Sequence, residues 1–215
     1  MPQTLGTNLS QREGNDGAWS TFPVQIGSPA QNVRCIVSTS GSATWVVVPE
    51  GCIVDGPLNC ADLRGKLFNP NASSTWAFNN YYELQLESNL GYTGSGEFGF
   101  EKVGIGWQGS VAPVLERQIV GGIATDEFWL GEFGLTPRPT NFTDFNDPQP
   151  SFVETLKNKS MIPSLSWAYT AGAPYRKNSI QSGECRAKGI SQGSKRCQGV
   201  SSSVDTTHPK SRQQI

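Results

Sequence analysis

Short apolar runs, broken at close intervals by turn-forming residues, leave little room for anything but strands in the first part of this chain. From Trp19 to Val48 the apolar residues alternate in brief stretches, interrupted by Gly27-Ser28-Pro29 and again by Ser38 to Ser42. That is the pattern of strand, hairpin turn, strand, tight turn, strand. Residues 81–106 continue as strands separated by glycine turns. One stretch has helical spacing instead: Phe152, Val153 and Leu156 are apolar, Ser151 stands at the N-cap, and Glu154 follows three residues later. Charged residues make up only 16 % of the chain, against 24 Gly and 14 Pro in 215 residues, which favours an all-β fold over a helical one.

The net charge of −1 hides a division. Residues 1–175 carry 16 acidic and 9 basic side chains, whereas residues 176–215 carry 2 acidic and 8 basic. No run of basic residues interleaved with aromatics occurs in the acidic body, so no nucleic-acid partner is expected. No apolar stretch approaches the roughly 20 residues needed to span a bilayer, so no membrane partner is expected either. Residues 1–18 are polar and predict an irregular arm that lacks the basic start and apolar core of a secretory signal. Residues 19–176 predict one folded unit. Residues 177–215 contain no aromatic residue and eight serines, a composition that buries little apolar surface, and they predict a disordered basic tail of frameshifted or intron-derived origin.

The chemistry concentrates at one turn. Phe22-Pro-Val-Gln-Ile-Gly-Ser-Pro-Ala-Gln31 leads to Cys35-Ile-Val-Ser-Thr-Ser-Gly-Ser-Ala-Thr-Trp45. This resembles the first active-site region of the pepsin-like aspartic peptidases, in which an apolar residue precedes Asp-Thr-Gly-Ser-Ser and a tryptophan follows seven positions after the Asp. Here Ser38 stands at the position of that catalytic Asp, Thr39 keeps the threonine of the interlobe grip, and Trp45 is in register. The family's Gly is Ser40 and its next Ser is Gly41. The resemblance, closest to secreted fungal members, implies an all-β N-terminal lobe of a bilobal architecture with few short helices. It also implies an ancestral activity, cleavage of extended peptides at acid pH, with no metal and no cofactor.

That activity needs two carboxyl groups sharing one proton, one to activate water and one to protonate the carbonyl oxygen. A serine hydroxyl fills neither role, so the chain is expected to be a truncated, catalytically dead relative, the alternatives being a non-catalytic peptide-binding module or a non-functional gene fragment. A serine-nucleophile reading would require a general base within reach, and the one histidine, His208, lies in the tail. Val204-Asp205-Thr206-Thr207 echoes the family's second motif but lacks its Gly and any β pattern around it. Past Arg176 no second lobe is expected, so a lone lobe would expose strand edges, for which a homodimer would be the natural rescue, and no carboxylate would reach the centre of such a dimer.

Further expectations rest on the same resemblance. Cys52 and Cys60 would close the family's short disulfide loop, the alternative being two reduced loop thiols; no histidine or further cysteine lies near enough to complete a zinc site. Cys35, within an apolar run, is expected to be a buried thiol, and Cys185 and Cys197 incidental ones. Leu67 to Trp76 matches a surface turn of the family. Tyr92 is the candidate flap tyrosine, with Tyr81 or Tyr82 as alternatives and cross-strand packing as the plain role for any of them. Glu127 to Leu135 resembles the second strand of the loop that backs the catalytic turn, and Met161 to Thr170 the strand leading away from the lobe. Secretion or vacuolar delivery is implied, and Asn8, Asn71, Asn141 and Asn158 are glycosylation candidates. Partners would be peptide or protein substrates.

Overall fold

The computed structural model describes residues 11–13, 19–52, 57–84, 94–140 and 146–168. The described residues form eight strands: β1 Gln11–Glu13, β2 Trp19–Ile26, β3 Gln31–Ser38, β4 Thr44–Val47, β5 Ala77–Glu83, β6 Ser95–Ile105, β7 Val114–Ile123 and β8 Gly131–Gly134. Two short helices, α1 Cys60–Leu63 and α2 Phe152–Asn158, complete the fold with two 3₁₀ turns at Pro49–Gly51 and Pro70–Ala72. The sheet runs in the order β1-β2-β3-β8-β4-β7-β6-β5, and β2 also pairs with β6. That extra pairing closes six of the strands into a ring, with β5 and β1 outside it.

The turn positions follow the sequence. β2 and β3 join through a tight turn over 27–30 and pair antiparallel from Phe22 opposite Cys35 to Ile26 opposite Gln31. β8 inserts between the next two strands, parallel to β3 and antiparallel to β4. The main core lies within the ring, where Ile26, Val33, Val46, Phe68, Val103 and Val120 meet Phe152, Val153 and Leu156 of α2. Cys35 is a buried thiol in this core, as its apolar setting implies, and its Sγ donates to Trp45 O at 3.6 Å. A second cluster, Trp45, Val47, Leu84, Phe98, Ile119 and Ile123, fills the space under the β5–β6 hairpin. The N-cap of α2 forms as the sequence requires, with the Ser151 hydroxyl accepting from Glu154 N at 3.2 Å.

Three expectations change. Within the arm expected to be irregular, Gln11–Glu13 pairs with β2 as an antiparallel strand. Within 81–106, β6 runs unbroken through Gly96, Gly99 and Gly104, so these glycines are not turns. A Cβ at Gly99 would lie 2.6 Å from Ala77 O and 2.8 Å from the Trp76 ring. Gly99 therefore permits the close approach of β5 rather than a reversal. Finally, residues 161–165 form bends and 166–168 no regular structure where a strand over Met161 to Thr170 was expected, residues 169 and 170 lying outside the described residues. Pro163 cannot donate to a ladder, its carbonyl accepts from Lys157 Nζ, and Ser166 N bonds Ser164 O locally.

Arg64 ties the loops together from inside. It is 1 % exposed, and its guanidinium donates to the carbonyls of Gly51, Thr125, Phe128 and Trp129 at 2.6–2.9 Å while lying over the Trp129 ring. Burial pushes its pKa down and nearby Asp126 opposes that shift. Arg64→Met removes these donors and strands buried carbonyls, so equilibrium denaturation is expected to show a loss of at least about 3 kcal/mol. Gly99→Ala is expected to cost about 1–3 kcal/mol in the same measurement, through overpacking against Trp76 and β5.

Candidate active site

Ser38 ends β3, and the chain turns through residues 39–43 before β4 begins at Thr44. The turn is zipped to the segment after β8: Leu135 N donates to Ser38 O at 2.8 Å and Thr136 N to Gly41 O at 3.0 Å. Ser42 and Thr140 add a hydroxyl–hydroxyl hydrogen bond. β8 thus backs the turn, in the role expected of Glu127 to Leu135. Ser40 takes the family's Gly position without a positive φ. Thr39 and Ser40 are exposed and Ser38 is half-buried.

The Ser38 hydroxyl is already engaged. Its oxygen accepts from Gly41 N at 3.0 Å and shares a 3.3 Å hydrogen bond with Ser40 Oγ. On the other side lies a group that the sequence reading missed. Glu132, paired with Ile36 of β3 and with Trp45 of β4, carries its carboxyl to the Ser38 turn. A Cβ at Gly41 would overlap Glu132 Oε1 and lie 3.2 Å from Ser38 Oγ. Gly41 in place of the family's Ser is what lets this carboxyl in. A carboxyl therefore stands beside Ser38 within the single lobe, delivered by β8 rather than by β3. Its signal in the sequence was a charged residue between Gly131 and Phe133, where the family's motif is apolar.

Burial pushes the Glu132 carboxyl above its ordinary pKa, and the Ser38 hydroxyl, donating toward the charged form, offsets part of that rise. Glu132 sits in a groove of about 320 Å³ bordered by Trp19, Ile36, Trp45, Asp126, Glu127, Phe128, Trp129 and Leu130. Trp45 and Phe128 meet edge to face with centroids 5.8 Å apart. Glu127 accepts from Gly94 N at 3.2 Å, linking the groove wall to the start of β6.

The other predicted residues fall as follows. Cys52 and Cys60 are disulfide-bonded, with Cα atoms 5.8 Å apart. Tyr92, Asn8, Asn141, His208, Cys185 and Cys197 lie outside the described residues. Of the alternative flap tyrosines, Tyr81 is 66 % exposed on β5 and stacks on Phe78. Tyr82 packs against Phe98 and its hydroxyl donates to Asn79 Oδ1 at 2.8 Å, the cross-strand packing role. Asn71 and Asn158 are exposed. Among the described residues no three His, Cys, Asp or Glu side chains cluster as a metal site, and no helix is long and apolar enough to cross a membrane.

The raised Glu132 pKa has a direct stability consequence. The unfolded chain loses the Glu132 proton at a lower pH than the folded one, so the folded state binds more protons between the two pKa values and stability falls as pH rises through that window. Glu132→Gln keeps an acceptor for Ser38 and removes the charge. It is expected to melt above the unaltered chain at about pH 7, with the difference closing at about pH 4, as read by thermal melts at both.

Comparison with known proteins agrees with this geometry. No curated protein matches the chain. The family model described as eukaryotic aspartyl protease matches residues 21–111, which span β2 through β6 with the Ser38 turn and the disulfide loop. With the all-β lobe and the strand-backed turn, that match supports a partial domain of the pepsin-like aspartic peptidase type over residues 21–111.

Proposed function

We propose that the chain is a catalytically inactive relative of the pepsin-like endopeptidases that keeps a groove for extended peptides. The observation that carries this reading is Ser38, at the position of the catalytic Asp, with its oxygen accepting the Gly41 N–H. A hydroxyl so held has no ionised form near working pH, and the Glu132 carboxyl toward which it donates is far too weak a base to create one.

Glu132 does not rebuild the machinery. In a working dyad one carboxyl is raised because its partner is charged, and the pair shares a proton. The Glu132 pKa is raised by burial, with no carboxylate among its causes. It is a single desolvated acid beside a hydroxyl. Binding makes lesser demands, because an extended peptide is held by backbone hydrogen bonds and by side-chain pockets, neither of which needs the dyad. The groove beside Ser38 and the β5–β6 hairpin next to it support that role.

The Cys52–Cys60 bond fits action in an oxidising compartment, outside the cytosol or in a vacuole. The exposed Asn71 and Asn158 suit glycosylation there.

The test is a casein digestion by the full chain across about pH 3–5, the acid range where dyad carboxylates share a proton. No pepstatin-sensitive cleavage is expected. Cleavage that pepstatin blocks would overturn the proposal, and its loss in Glu132→Gln would then identify Glu132 as the acid that replaced the missing Asp.

A further inference from the structure

The peptide groove is not the apolar slot that a floor of strand residues would ordinarily provide. Its lining includes Glu132, the acid beside Ser38, together with Trp45, Phe128 and Trp129. We infer that this groove selects a basic side chain, arginine or lysine, from an extended peptide, with the charged tip at Glu132 and the apolar stem along the aromatic wall that Trp45 and Phe128 form together. The inference rests on the peptide-binding reading and names the chemistry of its ligand.

Three features of the groove converge on a cation. First, the described residues lining the groove supply aromatic rings and carboxylates and no basic side chain. Arginine and lysine carry an apolar stem below a charged tip, the distribution this lining matches. Ring faces add attraction for a cation as it loses water. Second, the nearby cation of the protein is turned away: Arg64 spends its donors on the four carbonyls of the surrounding loops, and it covers the Trp129 ring from the interior. Third, Glu132 differs from the other acids of the groove. Asp126 already acts on Arg64, and Glu127 accepts from Gly94 N. Glu132 interacts with the uncharged Ser38 and has no described ion-pair partner. Its carboxylate is held in a desolvated position that a hydrogen-bonded cation would compensate.

The loss of the catalytic acid and the gain of this subsite are geometrically connected. An Asp at 38 would put a second negative charge beside Glu132, and a Ser at 41 would occupy the space its carboxyl now fills. Ser38 and Gly41 are the residues that make a charged floor compatible with the turn.

The probe is a capped hexapeptide of alanine and valine with one central arginine, compared with its citrulline counterpart, which keeps the shape and loses the charge. Binding to the full chain is followed by calorimetry and by tryptophan fluorescence. The arginine peptide is expected to bind about tenfold more tightly or better, the increment of a hydrogen bond to a charged group. In Glu132→Gln that ratio is expected to collapse to near one. Equal binding of both peptides to the unaltered chain would overturn the basic subsite while leaving peptide binding in place. Absence of binding by either would overturn the peptide-binding reading and this inference together. The comparison of the two peptides on the unaltered chain needs no variant, so it stands even if Glu132→Gln fails to fold.

Discussion

The double pairing of β2 is the constraint on which the rest of this structure hangs. β2 bonds to β3 along one edge and to β6 along the other, so a sheet that would otherwise run open closes into a ring. Closure leaves no unpaired edge among the six ring strands and gives each an inward face for the core. It also explains why β2 is buried along six consecutive residues from Thr21 to Ile26, with no alternation of exposed positions. Both faces and both edges are covered.

Closure fixes the site because β8 must enter between β3 and β4. The parallel pairing with β3 sets Glu132 opposite Ile36, one pleat before Ser38 on the same face, and the antiparallel pairing with β4 sets it opposite Trp45. The carboxyl has no freedom to be elsewhere, since a one-residue slip would send it into the core and bring Phe133 out. Ser38, Gly41 and Glu132 are consequently one unit. The hydroxyl steadies the charge, the glycine makes the space, and the strand register delivers the acid.

Arg64 supplies the second level of organisation. Residues 124–130 connect β7 to β8 without regular structure, and their carbonyls would be costly to bury without partners. The guanidinium takes three of them, at Thr125, Phe128 and Trp129, and joins them to Gly51 beside the disulfide loop. The aromatic wall of the groove is held by a cation that never reaches the groove.

Much of the architecture was legible in the residues themselves. The breaks at Gly27-Ser28-Pro29 and at Ser38 to Ser42 located the first three ring strands, and the Ser151 cap with Phe152, Val153 and Leu156 located α2, because turn and capping preferences act over a few residues. The local frame around Ser38 likewise identified the tight turn between β3 and β4. What sequence could not give were the relations between distant segments. Gly99 and Gly104 looked like turns because a glycine that admits a neighbouring strand has the same letter as one that reverses the chain. Glu132 lies 94 positions from Ser38 and looked like a charge in an apolar motif. The sequence alone determined which residue types are available at the turn. Only the closed sheet, by fixing the register of β8 against β3 and β4, decided that a carboxyl would stand beside Ser38 and face an aromatic groove.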